Sequence, residues 1–138
     1  AAHLDRTIHF YCGLLGLRLA LRKRQASGEL AFVDAGGGML EIFAPDEPVA
    51  PARDVPAGEA GVRHLTFAVT DVDAMIASLE AAGVPVVERP RDAHNREMIR
   101  RVAFVRDPDG ILIELVERAP AGEPSLTRVV SDLSDIRH

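Results

Sequence analysis

Ala31-Phe32-Val33 leads through Gly36-Gly37-Gly38 into Leu40-Glu41-Ile42-Phe43-Ala44-Pro45, and Ala103-Phe104-Val105 leads through Asp107-Pro108-Asp109-Gly110 into Ile113-Glu114-Leu115. Each stretch reads as a β-hairpin with one acidic residue inside an otherwise apolar strand. Phe32 and Glu41 are nine positions apart and Phe104 and Glu114 are ten, so the two carboxylates occupy matching places in two copies of one unit. A carboxylate in an apolar strand is costly unless it is paired or bound to a metal. Supplied twice by a duplicated unit, it points to a cation shared between the copies.

The duplication extends upstream. His3-Leu4-Asp5-Arg6-Thr7-Ile8 runs into Phe10-Tyr11-Cys12-Gly13-Leu14-Leu15-Gly16, and Asp71-Val72-Asp73-Ala74-Met75-Ile76 runs into Leu79-Glu80-Ala81-Ala82-Gly83. Both read as an amphipathic helix with a glycine stop. In the second, Asp71 caps the start, Val72, Ile76 and Leu79 recur at helical spacing, and Gly83 supplies the left-handed residue that ends the helix. Leu17 to Leu21 and Val84 to Val87 then read as strands, and Val62-Arg63-His64-Leu65-Thr66-Phe67-Ala68-Val69 reads as a strand before the second helix.

This order predicts an α+β chain of two βαβββ modules whose curved mixed sheet encloses a metal cleft. Residues 1–47 form a first module without its first strand, 48–60 a Pro-rich linker, 61–118 the second module, and 119–138 a linker and tail. A length of 138 residues with 47% hydrophobic content suits one shared core. A net charge of −5 disfavours nucleic-acid binding. No run approaches a membrane span and no charged-then-apolar leader stands before the first helix, so a cytoplasmic protein is expected. Cys12 is the single cysteine, which excludes an internal disulfide or a thiolate cluster, and its helical setting reads as packing.

His64 in its strand, the Asp71-Val72-Asp73 helix start, the Asp107-Pro108-Asp109-Gly110 turn and the Ile113-Glu114-Leu115 strand together resemble the glyoxalase, bleomycin-resistance and extradiol-dioxygenase (vicinal oxygen chelate) superfamily. The resemblance covers about residues 3 to 118. It implies one metal held by a first-strand and a last-strand residue of each module. His64 and Glu114 are then the ligands of the second module and Glu41 the last-strand ligand of the first. Asp135-Ile136-Arg137-His138 resembles Gly61-Val62-Arg63-His64, which makes His138 the candidate fourth ligand through a permuted or exchanged strand. The same tail also reads as an amphipathic segment, with Leu126, Val129, Val130 and Leu133 at helical spacing and an exposed terminal histidine.

Two imidazoles and two carboxylates suit one divalent transition metal, Zn, Ni, Co, Mn or Fe, without selecting among them. Such an ion polarises a carbonyl of a small substrate that chelates it through neighbouring oxygens, and Glu114 or Glu41 doubles as the base. An acid at the Glu41 position favours the glyoxalase-type lyase and isomerase branch. A ring-cleaving Fe(II) dioxygenase is the alternative, and a metal-free antibiotic-binding protein a third, although no Trp, one Tyr and five Phe leave few stacking platforms. The resemblance also implies a homodimer. Arg89, Arg91, His94, Arg96, Arg100 and Arg101 form a basic cluster in the second module; Arg96 and Arg100 are candidate contacts to an anionic substrate, against the plainer reading of a solvated, charge-balanced loop.

Overall fold

The computed structural model describes residues 1–119. Helix α1 (Leu4–Ile8) continues without a break as a π-helical turn over His9–Leu14. Three antiparallel strands follow, β1 (Arg18–Gln25), β2 (Gly28–Asp34) and β3 (Met39–Pro45), in the order β1-β2-β3. Residues 46–64 contain neither helix nor strand. The second half runs β4 (Leu65–Ala68), α2 (Val72–Ala81), β5 (Val86–Asp92), β6 (Ile99–Arg106) and β7 (Leu112–Arg118), with sheet order β4-β7-β6-β5. Among the described strands only β4 and β7 pair in parallel, with Thr66 opposite Glu114. Among the described residues the fold is α+β with two sheets, one of three strands and one of four, and neither closes into a barrel.

The local signals act as the chemistry demands. Asp71 Oδ1 accepts the Ala74 N–H at 3.0 Å, the N-cap bond that satisfies an orphan donor of α2. Gly83, at φ +84°, ends the helix where a side chain would strain the backbone. Val72, Ile76 and Leu79 of α2 are buried against Ala103 and Val105 of β6 and Ile113 and Leu115 of β7. Phe10, Tyr11 and Val33 from the first half join this cluster, so the two halves share one core.

The duplication is visible in the hydrogen bonding. The N–H of Val69 donates to the carbonyl of Val116 at 2.8 Å, and the amino group of Ala1 donates to the carbonyl of Phe43 at 2.7 Å. Val116 lies two residues beyond Glu114, and Phe43 two beyond Glu41. Residues 1–3 therefore stand to β3 as Val69 to Asp71 stand to β7. Among the described residues, no strand covers the β3 edge that matches the edge of β7 covered by β4.

Three details differ from the expectation. The strand before α2 is only Leu65–Ala68, which leaves His64 immediately before it. Strand β1 extends four residues past Leu21 with every residue exposed, because its long side chains pair with acids across the sheet surface, as Arg22 does with Glu29 and Asp5. Strand β5 continues through Pro90, which an edge strand tolerates because one side of its backbone has no ladder to lose.

Candidate metal centre

His64 and Glu114 come together. His64 Nε2 lies 3.5 Å from Glu114 Oε2, with the two side chains 34% and 14% exposed. Parallel pairing of β4 with β7 sets this distance, because Leu65 stands opposite Ile113 and so delivers the preceding residue beside Glu114. The Phe104 ring, directly across the antiparallel pair from Glu114, meets the imidazole edge-on with centroids 5.7 Å apart. Among the described residues Glu114 has no arginine or lysine partner, and that imidazole is the basic group paired with it.

Metal–ligand bonds of about 2.0–2.1 Å place neighbouring donor atoms roughly 3.0–3.4 Å apart, for octahedral and tetrahedral ions respectively. The His64–Glu114 separation is close to that range. A borderline nitrogen donor beside a largely buried, cation-free carboxylate is also the donor chemistry a divalent transition ion takes. The pair therefore fits two positions of such a site.

Glu41 does not join them. It is exposed on β3 opposite Phe32, in a hollow of about 300 Å³ formed with Met39, Phe43, Leu65 and Ile111 among others. Alternation places Glu41 on the sheet face opposite Ile42, which packs into the core. Exposed Met39 and Phe43 flank it on the same face. His138 lies outside the described residues.

Arg96 and Arg100 stand apart from His64. Arg96 lines a shallow surface depression with His94, Asn95 and Glu97 and donates to Asp92 at 3.5 Å, while Arg100 is bonded to Glu117. The other arginines of the cluster are likewise paired, Arg89 with Glu80, Arg91 with Glu88, and Arg101 with Asp73 and Asp92. The charge-balanced description fits this surface.

Among the described residues, one group of three potential ligands converges, Asp71, Asp73 and Glu117 at the start of α2. Its carboxylates already have partners. Asp73 holds Arg101 at 2.6 and 2.8 Å, and the guanidinium keeps the Asp73 carboxyl below its ordinary value. Glu117 accepts the Val72 N–H at 2.8 Å and is paired with Arg100. Asp71 caps α2. These acids anchor the helix to the sheet. Burial pushes the Cys12 thiol up, which agrees with a packing role.

Sequence reasoning passed over Arg53 and Arg63. They flank a second hollow beside His64, lined also by Ala52, Asp54 and Ile111. The adjacency of Arg63 to His64 was the available signal.

The family profile described as Glyoxalase/Bleomycin resistance protein/Dioxygenase superfamily matches residues 1–115. The protein YaeR of Escherichia coli is 35% identical over 114 residues, covering 79% of this chain and 83% of its own. A lactoylglutathione lyase of Arabidopsis thaliana is 32% identical over 124 residues; the match covers 88% of this chain, which spans 42% of that longer relative. The crystal structure of SMU.1112c superposes with a TM-score of 0.69 at 29% identity, covering 85% of this chain and 92% of that one. With its paired hairpins, its parallel β4–β7 contact and its His64–Glu114 pair, the chain belongs to the Glyoxalase/Bleomycin resistance protein/Dioxygenase superfamily.

Proposed function

We propose that this chain binds one divalent transition metal through His64 and Glu114 and catalyses a glyoxalase-type lyase or isomerase reaction, a proton transfer on a small substrate held through neighbouring oxygens. The observation that carries the reading is the placement of Glu114, largely buried, without an arginine or lysine partner among the described residues, and 3.5 Å from His64. A bound ion would act as a Lewis acid, polarising a carbonyl oxygen and making the adjacent C–H more acidic. A carboxylate has two oxygens, so Glu114 can use one as a ligand and present the other to that proton. Phe104 orients the imidazole and shields that side of the site from water. The lyase branch is supported by the relative from Arabidopsis thaliana that carries that name.

The two donors gathered among the described residues leave the site incomplete. Leu21, Met39 and Phe43, which are 48%, 56% and 40% exposed, surround Glu41 on the outer face of the first sheet. Burying that face against the His64 side of a second copy would remove apolar surface from water and bring Glu41 to the metal. The functional unit in this reading is a homodimer with two shared sites.

A metal-free ligand-binding role is the second reading. It is favoured by the gathering of only two donors among the described residues and by the presence of bleomycin resistance proteins in the family. Elemental analysis separates the two. Protein purified without chelator is expected to carry about one transition metal per chain, lost in His64→Ala and Glu114→Ala. Nickel or zinc supports the isomerase branch and iron a dioxygenase. No metal in the parent chain after reconstitution would overturn the catalytic reading and leave the binding protein.

A further inference from the structure

We infer that the hollow beside His64 receives an anionic end of the substrate, a carboxylate or phosphate group, through Arg63 and Arg53; this rests on the metal-dependent reading above. The hollow forms where the connector folds back onto the β6–β7 turn. Ala52 donates its N–H to the Asp109 carbonyl at 2.9 Å, and Asp54 holds Arg106 through two bonds of 2.6 and 3.0 Å. These ties hold residues 52–54 at the hollow that Val62 to Leu65 and Gly110 to Leu112 also line. The enclosed volume is about 260 Å³. Sites that surround a whole drug-sized ligand run to roughly 300–1,000 Å³, so this space suits one terminus of a substrate whose reacting end lies at His64 and Glu114.

Charge identifies that terminus. Arg106 is neutralised by Asp54, which lines the hollow, as Arg100 and Arg101 of β6 are neutralised by their own acids. Arg63 is held differently. Its Nη2 donates to the carbonyl oxygens of Ala57 at 3.0 Å and Pro56 at 3.4 Å, which orient the guanidinium without cancelling its charge. Among the described residues, neither Arg63 nor Arg53 meets a carboxylate, so two uncompensated cations flank His64 in a chain whose net charge is −5. A planar guanidinium offers paired N–H groups that match the oxygens of a carboxylate or phosphate. Val62 and Ile111, both exposed at the rim, supply an apolar wall for the carbon chain behind such a group.

Cobalt-loaded protein titrated calorimetrically with three hydroxamates tests the inference. All three present the same pair of vicinal oxygens and differ only at the far end, which carries a carboxylate, a phosphonate or a neutral methyl ester. One or both charged probes are expected to bind roughly tenfold tighter than the ester, a difference of about 1.4 kcal/mol. The order of the two identifies the group. The Arg53→Gln/Arg63→Gln chain is expected to lose the preference while holding the ester as before, and Arg63→Lys to keep part of it. Equal affinity for all three probes in the parent, or a preference that survives the double substitution, overturns the inference alone. A chain that takes up no cobalt overturns the metal reading and the inference with it.

Discussion

Tyr11 and Asp107, 96 positions apart, are joined by a buried hydrogen bond in which the phenol donates to Oδ2 at 2.8 Å. The other carboxylate oxygen of Asp107 accepts the N–H groups of Asp109 and Ile111, each at 2.9 Å. One carboxylate thus shapes the turn between β6 and β7 and ties it to the first helical segment. Asp109 of that turn accepts the N–H of Ala2 at 2.7 Å and is approached by the Thr7 hydroxyl at 3.4 Å. The turn that positions Glu114 is therefore also the joint between the two halves of the chain.

Removing the phenol tests that joint. Tyr11→Phe leaves a buried carboxylate short of a partner, a loss of about 1–3 kcal/mol in urea unfolding. The alkaline limb gives an independent signature. Burial first, and then the charge and hydrogen bond of Asp107, push the Tyr11 pKa well above its ordinary value of 10.0. With the folded value raised, stability is intact below the unfolded pKa and falls as pH rises above it, because the unfolded chain ionises first. The slope contributed is about 1.4 kcal/mol per pH unit. Tyr11→Phe is expected to abolish that component, and an unchanged alkaline slope would refute the account.

The cap at α2 carries a smaller, separable contribution. Asp71→Ala deletes the acceptor for Ala74 N–H, which costs about 1 kcal/mol, and Asp71→Ser recovers most of it. Chemical denaturation of the three chains gives the comparison. Equal midpoints would show that the cap does not hold the helix.

Metal linkage gives a readout free of any substrate. A divalent ion that binds only the folded chain, at about a hundred times its dissociation constant, stabilises it by ~2.7 kcal/mol. Nickel or zinc is therefore expected to raise the melting temperature of the parent chain, and chelation to reverse the rise. His64→Ala and Glu114→Gln should melt at the same temperature with and without metal. A rise that persists in both variants would place the ion elsewhere.

Both hairpins, the α2 cap and the glycine stop were legible because each depends on residues within a few positions of one another. The His64–Glu114 pair was legible for a different reason. The family resemblance implied a ligand from the first and from the last strand of a module, and parallel pairing of β4 with β7 brings those two strands together. What local pattern does not encode is partnership across the chain. The basic cluster is balanced by acids such as Asp73, which reaches Arg101 from 28 positions away. The separation of Glu41 from His64 likewise depends on how two sheets are set around one core. The π-helical turn at His9–Leu14 has no signature in the apolar spacing, and the strand through Pro90 depends on an edge position that sequence does not announce.

Gly28 offers the most local test of the first sheet. It opens β2 opposite Pro45 at the end of β3, with a negative φ, so backbone freedom is not what requires glycine there. Space is the constraint. A Cβ at this position would overlap the Ala44 carbonyl oxygen and stand 2.7 Å from the Pro45 Cα, both backbone atoms that no rotamer change can move. Gly28→Ala must therefore push β3 away from β2 at that end, a cost of about 1–3 kcal/mol by the usual scale of overpacking. At Gly38, where a Cβ meets nothing within 4 Å and φ is not positive, the same substitution is expected to be nearly neutral. Amide hydrogen exchange should show faster opening along β3 in Gly28→Ala while β6 and β7 keep their protection. Equal stability of the two alanine variants would mean that the β2–β3 ladder yields at Pro45 without loss.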